Sequence, residues 1–461
     1  MRTAHSLIFN LIHVLTPSFY RARSSPGTAA VAAAAQHHDD SRDPLAYLHG
    51  LRGLAIFLIY TSAFCLPLHP FAPSASIIRP IDSDDDGEGS EAVARNQVLS
   101  YPPLSLPLLR LFHSGPAMIS ILFVTSGYLL TAPAVRLARR RAHDDLLRYF
   151  TATLVKRTLH LLLPTVLTSL ATLALVCLHW YGPDRALDPS AVFPAFAQPL
   201  LPPDHPGGLW TALRHWVGFV SREVLSPFDW RPMWMKPVSL YGQHLWVVAY
   251  EFRCSLVLAA IMAVTLRMES ALKRAALVVG VIVYCAVWER GDIVLFLAGH
   301  MLALHQEAGR LHDFEDDGDG KRGEGVDGLL AHAAACDVDR PRSLPVYVAW
   351  LGSLWLLSFP SYDEAQDIPG FQLLAATGIS KELWHSIGAV LLVWSLGRLR
   401  LVRSLLRADP VQYLGHISLA LYLIHEPVLQ SWGWYLTGWL LNGEQTTSTA
   451  AVPALNYIDT Q

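Results

Sequence analysis

Long apolar runs, broken by polar or basic stretches, set the pattern of this chain. They fall at about Leu51 to Leu68, Ala117 to Ala132, Arg157 to Tyr181, His244 to Leu266, Ala275 to Trp288, Ile293 to Leu304, Leu344 to Phe359, Leu383 to Leu396 and Val411 to Leu441. A helix that crosses a bilayer needs roughly 20 mostly apolar residues. Pro427 makes the last run one kinked helix or two short ones. The pattern therefore predicts an all-α, polytopic integral membrane bundle of about ten transmembrane helices. Ahead of it, Leu7, Ile8, Leu11, Ile12 and Leu15 recur at helical spacing, and Pro17 closes the run. That reads as a short helix lying in the membrane interface within an N-terminal arm, residues 1–45. The WTALRHWVGFVSREVL stretch is amphipathic and suits the interface too. The span-bearing domain covers 46–441, with compositionally disordered loops near 80–98 (DSDDDGEGSE) and 311–340 (HDFEDDGDGKRGEGVDG), and residues 442–461 form a polar tail.

Composition sharpens this picture. Of 461 residues, 52% are hydrophobic and 16% charged, against about 25% charged in a soluble protein. The net charge of −3 offers no basic excess for nucleic acid. Fourteen tryptophans and sixteen tyrosines suit two interfacial belts. The five cysteines form no CxxC pair, so neither a metal site nor a disulfide framework is expected. Basic residues cluster at Arg136–Arg157, Arg267–Arg274 and Arg398–Arg407. With the N-terminus cytoplasmic, span alternation puts all three clusters inside and the acidic loop outside.

Ionisable residues within spans are costly and mark function or a buried partner. Arg52 opens the first span in LHGLRGLA, where it can snorkel to headgroups or reach inward. Arg157 and His160 stand at i and i+3 in KRTLHLLLP, as a basic helix cap or a shared functional face. Glu251 lies about 10 Å into the run HLWVVAYEFR, at 1.5 Å per residue. A carboxylate there needs a partner or a wet cavity. Arg253 is near in sequence but points elsewhere, because i and i+2 do not share a face. His425, in SLALYLIHEP, reads as an interfacial end residue or a site residue.

YLHGLRGLA, FVTSGYLLT, HLWVVAYEFR, WHSIGAVLL and YLGHISLALYLIHEPVL occur in this order. Together they resemble the motifs of the membrane acyltransferase 3 family in its fungal form, over roughly residues 7–440. The resemblance implies a membrane enzyme that moves an acyl group, commonly from acyl-CoA as co-substrate, onto a hydroxyl of a small molecule, sugar or lipid, with no bound cofactor. Its partners would be the bilayer, an acyl donor and a hydroxyl acceptor. The reaction needs a base for the hydroxyl proton, donors facing the thioester carbonyl and cations for the donor's phosphates. On this resemblance the catalytic candidates are His160, Glu251, Arg52 and Arg157, and the substrate-binding candidates are Ser62, Tyr128, Trp246 and His425.

The chain also departs from the family pattern. The family places a histidine after the arginine of the first span with ten residues between them; here that position is Ala63, preceded by Ser62. His49 replaces an acidic residue, and His160 replaces a second arginine. His160 is the expected substitute base, with Glu251 second. A further apolar helix is expected after Leu441, where this chain is polar. Two alternatives stay open: a catalytically impaired relative, and a transporter of acidic or acylated small molecules. Transporters often carry inverted repeats, and none is clear here.

Overall fold

The computed structural model describes residues 44–68, 106–140, 143–181, 208–228, 241–242, 244–268, 270–316, 344–360, 362–368 and 370–433. The expected interfacial helix near Leu7, the DSDDDGEGSE loop and the tail beyond Leu441 lie outside them. Within them every regular element is a helix. In chain order these are α1 (Ala46–Leu68), a 3-10 turn (Leu109–His113), α2 (Gly115–Arg139), α3 (His143–Cys177), α4 (Gly208–Phe219), α5 (Trp246–Thr265), α6 (Ala271–Val287) and α7 (Gly291–Asp316). They continue with α8 (Leu344–Leu357), α9 (Tyr362–Asp367), α10 (Gln372–Ala375), α11 (Lys381–Leu396), α12 (Arg400–Leu406) and α13 (Asp409–Val428).

Three of the described helices are long and apolar enough to cross a membrane: Gly115–Ala138, Asp144–Cys177 and Trp246–Thr265. Against an expectation of about ten spans, only these three qualify on length and composition among the described residues. Some other apolar helices are too short, such as α8 with 14 residues. Two boundaries differ from the sequence reading. Helix α3 starts at His143, so most of the basic stretch is helical; Arg148 and Lys156 lie on its exposed side, where charge is compatible with continuing the helix. Helix α7 continues to Asp316, into the segment read as disordered from 311.

The core is built around α2, which packs on α1, α3, α5, α7 and α11. Small residues set how closely these helices meet. A methyl at Gly127 would fall 2.1 Å from the Phe296 carbonyl oxygen, and one at Gly299 the same distance from that of Val124. Helices α2 and α7 therefore touch backbone to backbone, as small-residue interfaces allow. The same contact zone holds Thr131 against His300 Nδ1 (3.0 Å) and the Tyr128 hydroxyl donating to Gln306 Oε1 (2.6 Å). The glycines of LHGLRGLA do equivalent work. A methyl at Gly53 would meet the Gly415 nitrogen at 2.3 Å, and one at Gly50 the Leu406 carbonyl at 2.1 Å, so α1 seats directly on α13 and on the end of α12.

Helix α3 is peripheral by contrast. Val155, Leu159, Leu163, Leu167 and Leu170 are exposed along one side at helical spacing. An outward stripe of this kind suits hydrocarbon rather than water.

Candidate active site

The site forms where α1, α2, α3 and α5 converge on Glu251. The apolar sequence around it leaves no exposed edge to α5 at this level, and Glu251 is buried with its neighbours from Trp246 to Ser255. A buried carboxylate must be paired and hydrogen-bonded, and three helices supply the partners. Arg157 Nη2 of α3 donates to Glu251 Oε1 at 2.7 Å. Ser126 Oγ of α2 donates to the same oxygen at 2.5 Å. Arg52 Nη2 of α1 stands 3.5 Å from it. Arg157 is fixed further by Nε, which donates to Ser255 Oγ at 2.7 Å, and Ser255 donates back to the Glu251 carbonyl at 2.6 Å. Four elements far apart in sequence are thus tied by one carboxylate. Arg52 is the loosest member: its side chain keeps 22% exposure, and its Nε has no hydrogen-bond partner among the described residues.

Arg157 lies well inside α3 rather than at a helix end, which removes its reading as a basic cap. His160 does not accompany it. It is exposed, on the leucine-rich outer side of α3. A step of three residues turns a helix by about 300°, and Arg157 already stands at the edge of the buried face, so His160 is carried outward. The expectation that His160 faces the same cavity is therefore corrected.

The other candidates are also dispersed. The Ser62 hydroxyl donates to the His113 carbonyl at 2.9 Å, away from the Glu251 cluster. Tyr128 is fully buried and spends its hydroxyl on Gln306, which makes it a strut between α2 and α7. Trp246 stacks edge-on against Tyr250 with 5.6 Å between ring centroids. It lines a small cleft with Phe219, Glu223, Tyr250 and Arg253, on a different side of α5 from Glu251. In that cleft Arg253 donates to the carbonyls of Ser226 and Glu223 at 2.8 and 2.9 Å. The Arg253 and Arg290 guanidiniums stand 5.5 and 5.8 Å from the centroid of the Tyr250 ring. Arg290 in turn pairs with buried Asp292 at 2.7 Å. Burial opposes its charge, but that carboxylate prevails and holds Arg290 above its ordinary value.

His425 belongs to a second cluster, where α13 meets the residues that lead into α5. His244 Nδ1 stands 2.5 Å from Glu426 Oε2, and His244 Nε2 is 3.1 Å from the Leu423 carbonyl. The Tyr422 hydroxyl donates to the His244 carbonyl at 2.7 Å. His425 Nδ1 donates to the Tyr422 carbonyl at 2.5 Å, and its ring lies 4.5 Å from that of His244. Sequence reasoning missed His244 and Glu426. The available signal was Pro427, which brings no N–H to the Leu423 carbonyl four residues back and leaves room for an outside donor.

Comparison with known proteins bears on what this arrangement does. Residues 45–455 match the model of the acyltransferase 3 family, described as an Acyltransferase domain. The chain is similar to the O-acetyltransferase PaAT-1 of Phomopsis amygdali, 26% identical over 350 residues that cover 72% of this chain and 65% of that protein. It is also similar to the acyltransferase clz18 of Cochliobolus lunatus, 24% identical over 441 residues, 87% of each chain. The chain thus spans just under two thirds of the length of PaAT-1 and most of clz18. No solved structure matches.

Proposed function

The chain belongs to the acyltransferase 3 family, and from that premise we propose that it is a multi-pass membrane enzyme that transfers an acyl group from acyl-CoA to a hydroxyl. The acceptor class is a small molecule, sugar or lipid. PaAT-1, an O-acetyltransferase by name, makes acetyl the first acyl group to test. About ten spans, with the N-terminus on the cytoplasmic side, complete this reading.

The observation that carries it is the Glu251 cluster. Glu251 already accepts from Ser126 and Arg157 and faces Arg52, so its carboxylate is committed to cations and is a poor proton acceptor. Its role is to hold two arginines in place. Arg52, with a donor to spare, would face the thioester carbonyl or a phosphate of the acyl donor. A thioester carbonyl gathers negative charge as the hydroxyl attacks, and a fixed guanidinium lowers that barrier. Such preorganised charge also explains why the chain keeps ionised groups among apolar helices despite their cost.

The test is incubation of membranes containing the chain with acetyl-labelled acetyl-CoA and an extract of the producing cells. Labelled products that depend on Arg52 and Arg157 are the expected result. Equal labelling by membranes without the chain overturns the reading. The missing histidine at Ala63 gives the impaired-relative reading its one specific support, and the same assay decides between the two.

A further inference from the structure

The Glu251 carboxylate is used unevenly. Arg157 Nη2 and Ser126 Oγ donate to Oε1, and Arg52 Nη2 approaches that same oxygen at 3.5 Å. The Glu251 side chain makes no other hydrogen bond or ion pair among the described residues, so Oε2 receives none. Arginine frequently grips a carboxylate with two parallel bonds, one to each oxygen. A carboxylate whose only task was to hold arginines would spend both oxygens on them. Here one oxygen carries every donor and the other carries none.

Leaving an acceptor unmet at this depth costs free energy unless something outside the chain meets it. Oε2 is not enclosed by protein atoms, unlike Arg52 Nε, and the Glu251 side chain keeps 8% exposure. Arg52 is more open still, at 22%. The free oxygen and the Arg52 guanidinium thus stand side by side, each with access from outside.

We propose that Glu251 Oε2 binds the acyl acceptor by taking a hydrogen bond from its hydroxyl, and that this acceptor bears no ionised group beside that hydroxyl. The proposal rests on the acyltransferase reading above. A carboxylate oxygen only accepts, so its ligand must bring an O–H or an N–H. Charge narrows the choice. Two guanidiniums and one carboxylate leave one positive charge in the cluster. An ammonium would face that charge at short range among apolar helices, which screen little. A carboxylate or phosphate would meet Oε2 as a like charge. An uncharged alcohol meets neither objection. The hydrogen bond aims the O–H at Oε2 and leaves the lone pairs of the hydroxyl oxygen free to face a carbonyl held by Arg52. Glu251 thereby orients the acceptor while the proton stays on the hydroxyl, in keeping with its weakness as a base.

The test uses the full chain in membranes, with acetyl-labelled acetyl-CoA and a dilution series of the cell extract as probes. In Glu251→Gln the amide oxygen takes the place of Oε1 among the donors, and the NH2 group stands where Oε2 was, as a donor facing a donor. The extract concentration at half-maximal labelling should rise about 10-fold or more, as the loss of a hydrogen bond to a charged group implies. The acetyl-CoA concentration at half-maximal rate should shift far less. Both concentrations are properties of the folded molecules, so partial loss of folded protein does not disturb them. A second measurement needs no variant: reductive methylation of the amines in the extract should leave labelling by the parent unchanged. If the parent labels products and Glu251→Gln shifts neither concentration, or shifts both equally, the proposal is overturned and the acyltransferase reading stands. If methylating the amines removes the label, the acceptor is an amine and the proposal is likewise overturned, while acyl transfer itself stands. If the parent labels nothing, the acyltransferase reading falls and takes the proposal with it.

Discussion

Glu251→Gln should reverse the sign of a second substitution at Arg52. Arg52 and Arg157 approach the same oxygen at 3.5 and 2.7 Å. Their charged nitrogens are then no more than about 6 Å apart, and at an effective dielectric of about 20 they repel by roughly 3 kcal/mol. In the parent the carboxylate offsets this repulsion. Glu251→Gln keeps the shape but removes the charge, and stripping one partner from a buried ionic cluster costs roughly 3–5 kcal/mol. Arg52→Gln alone removes a partly exposed ion pair and should cost about 1 kcal/mol. In the Glu251→Gln background the same change removes one of two facing cations. It should stabilise there, by about 1–2 kcal/mol once screening of the partly exposed Arg52 is allowed for. The four proteins of the cycle, purified in one detergent, are heated and the surviving monodisperse fraction is measured by size exclusion. The expected order has the double variant melting above Glu251→Gln and Arg52→Gln melting below the parent. If Arg52→Gln lowers the melting temperature equally in both backgrounds, the cluster is not an electrostatic unit and the argument fails.

The remaining expectations are simpler. His160→Ala should leave labelling from acetyl-CoA within about twofold, as a substitution on an exposed face does; a large loss would bring His160 back as a site residue. Gly127→Leu should abolish recovery of folded protein from detergent, because even one methyl there strikes the Phe296 carbonyl; normal recovery would mean that α2 and α7 are not in backbone contact. Asp292→Ala strands buried Arg290 and should cost roughly 3–5 kcal/mol in a thermal melt, while Asp292→Asn keeps a hydrogen-bond acceptor and should lose less. An unchanged melt in both would show the pair to be solvated.

The helices were legible in the chain because each requirement leaves a local trace. An apolar run signals a helix, whereas the close contacts at Gly53 and Gly127 came to light only in the packing. Glu251 was legible for the same reason, as a charge at a depth where charge needs a partner. Its partners were less so. Arg157 could be read as a helix cap until α3 proved to begin at His143, fourteen residues earlier, which places the arginine deep in the bundle. His160 failed because a step of three residues lands on a neighbouring rather than an identical face, and at the edge of a buried stripe that difference decides between core and surroundings. Of the His244–Glu426 pair the sequence held one half: Pro427 marks the Leu423 carbonyl as lacking its helical donor, but nothing marks His244 as the residue that meets it. The pairing depends on the register between α13 and the residues before α5, and no spacing within either segment encodes that register.

Arg52 comes from α1 and is anchored through Glu251 to α2, α3 and α5. The place of α1 depends in turn on its contact with α13 at Gly53 and Gly415. Gly415→Ala would press on the His49 carbonyl at 2.7 Å and push the helices apart. A shift of about 1 Å at a reacting centre can cost about 100-fold in rate. Gly415→Ala should therefore slow labelling far more than it lowers the melting temperature, because it moves Arg52 relative to the helices that Glu251 ties together. Equal proportional losses of rate and folded protein would show that the α1–α13 contact serves the fold alone.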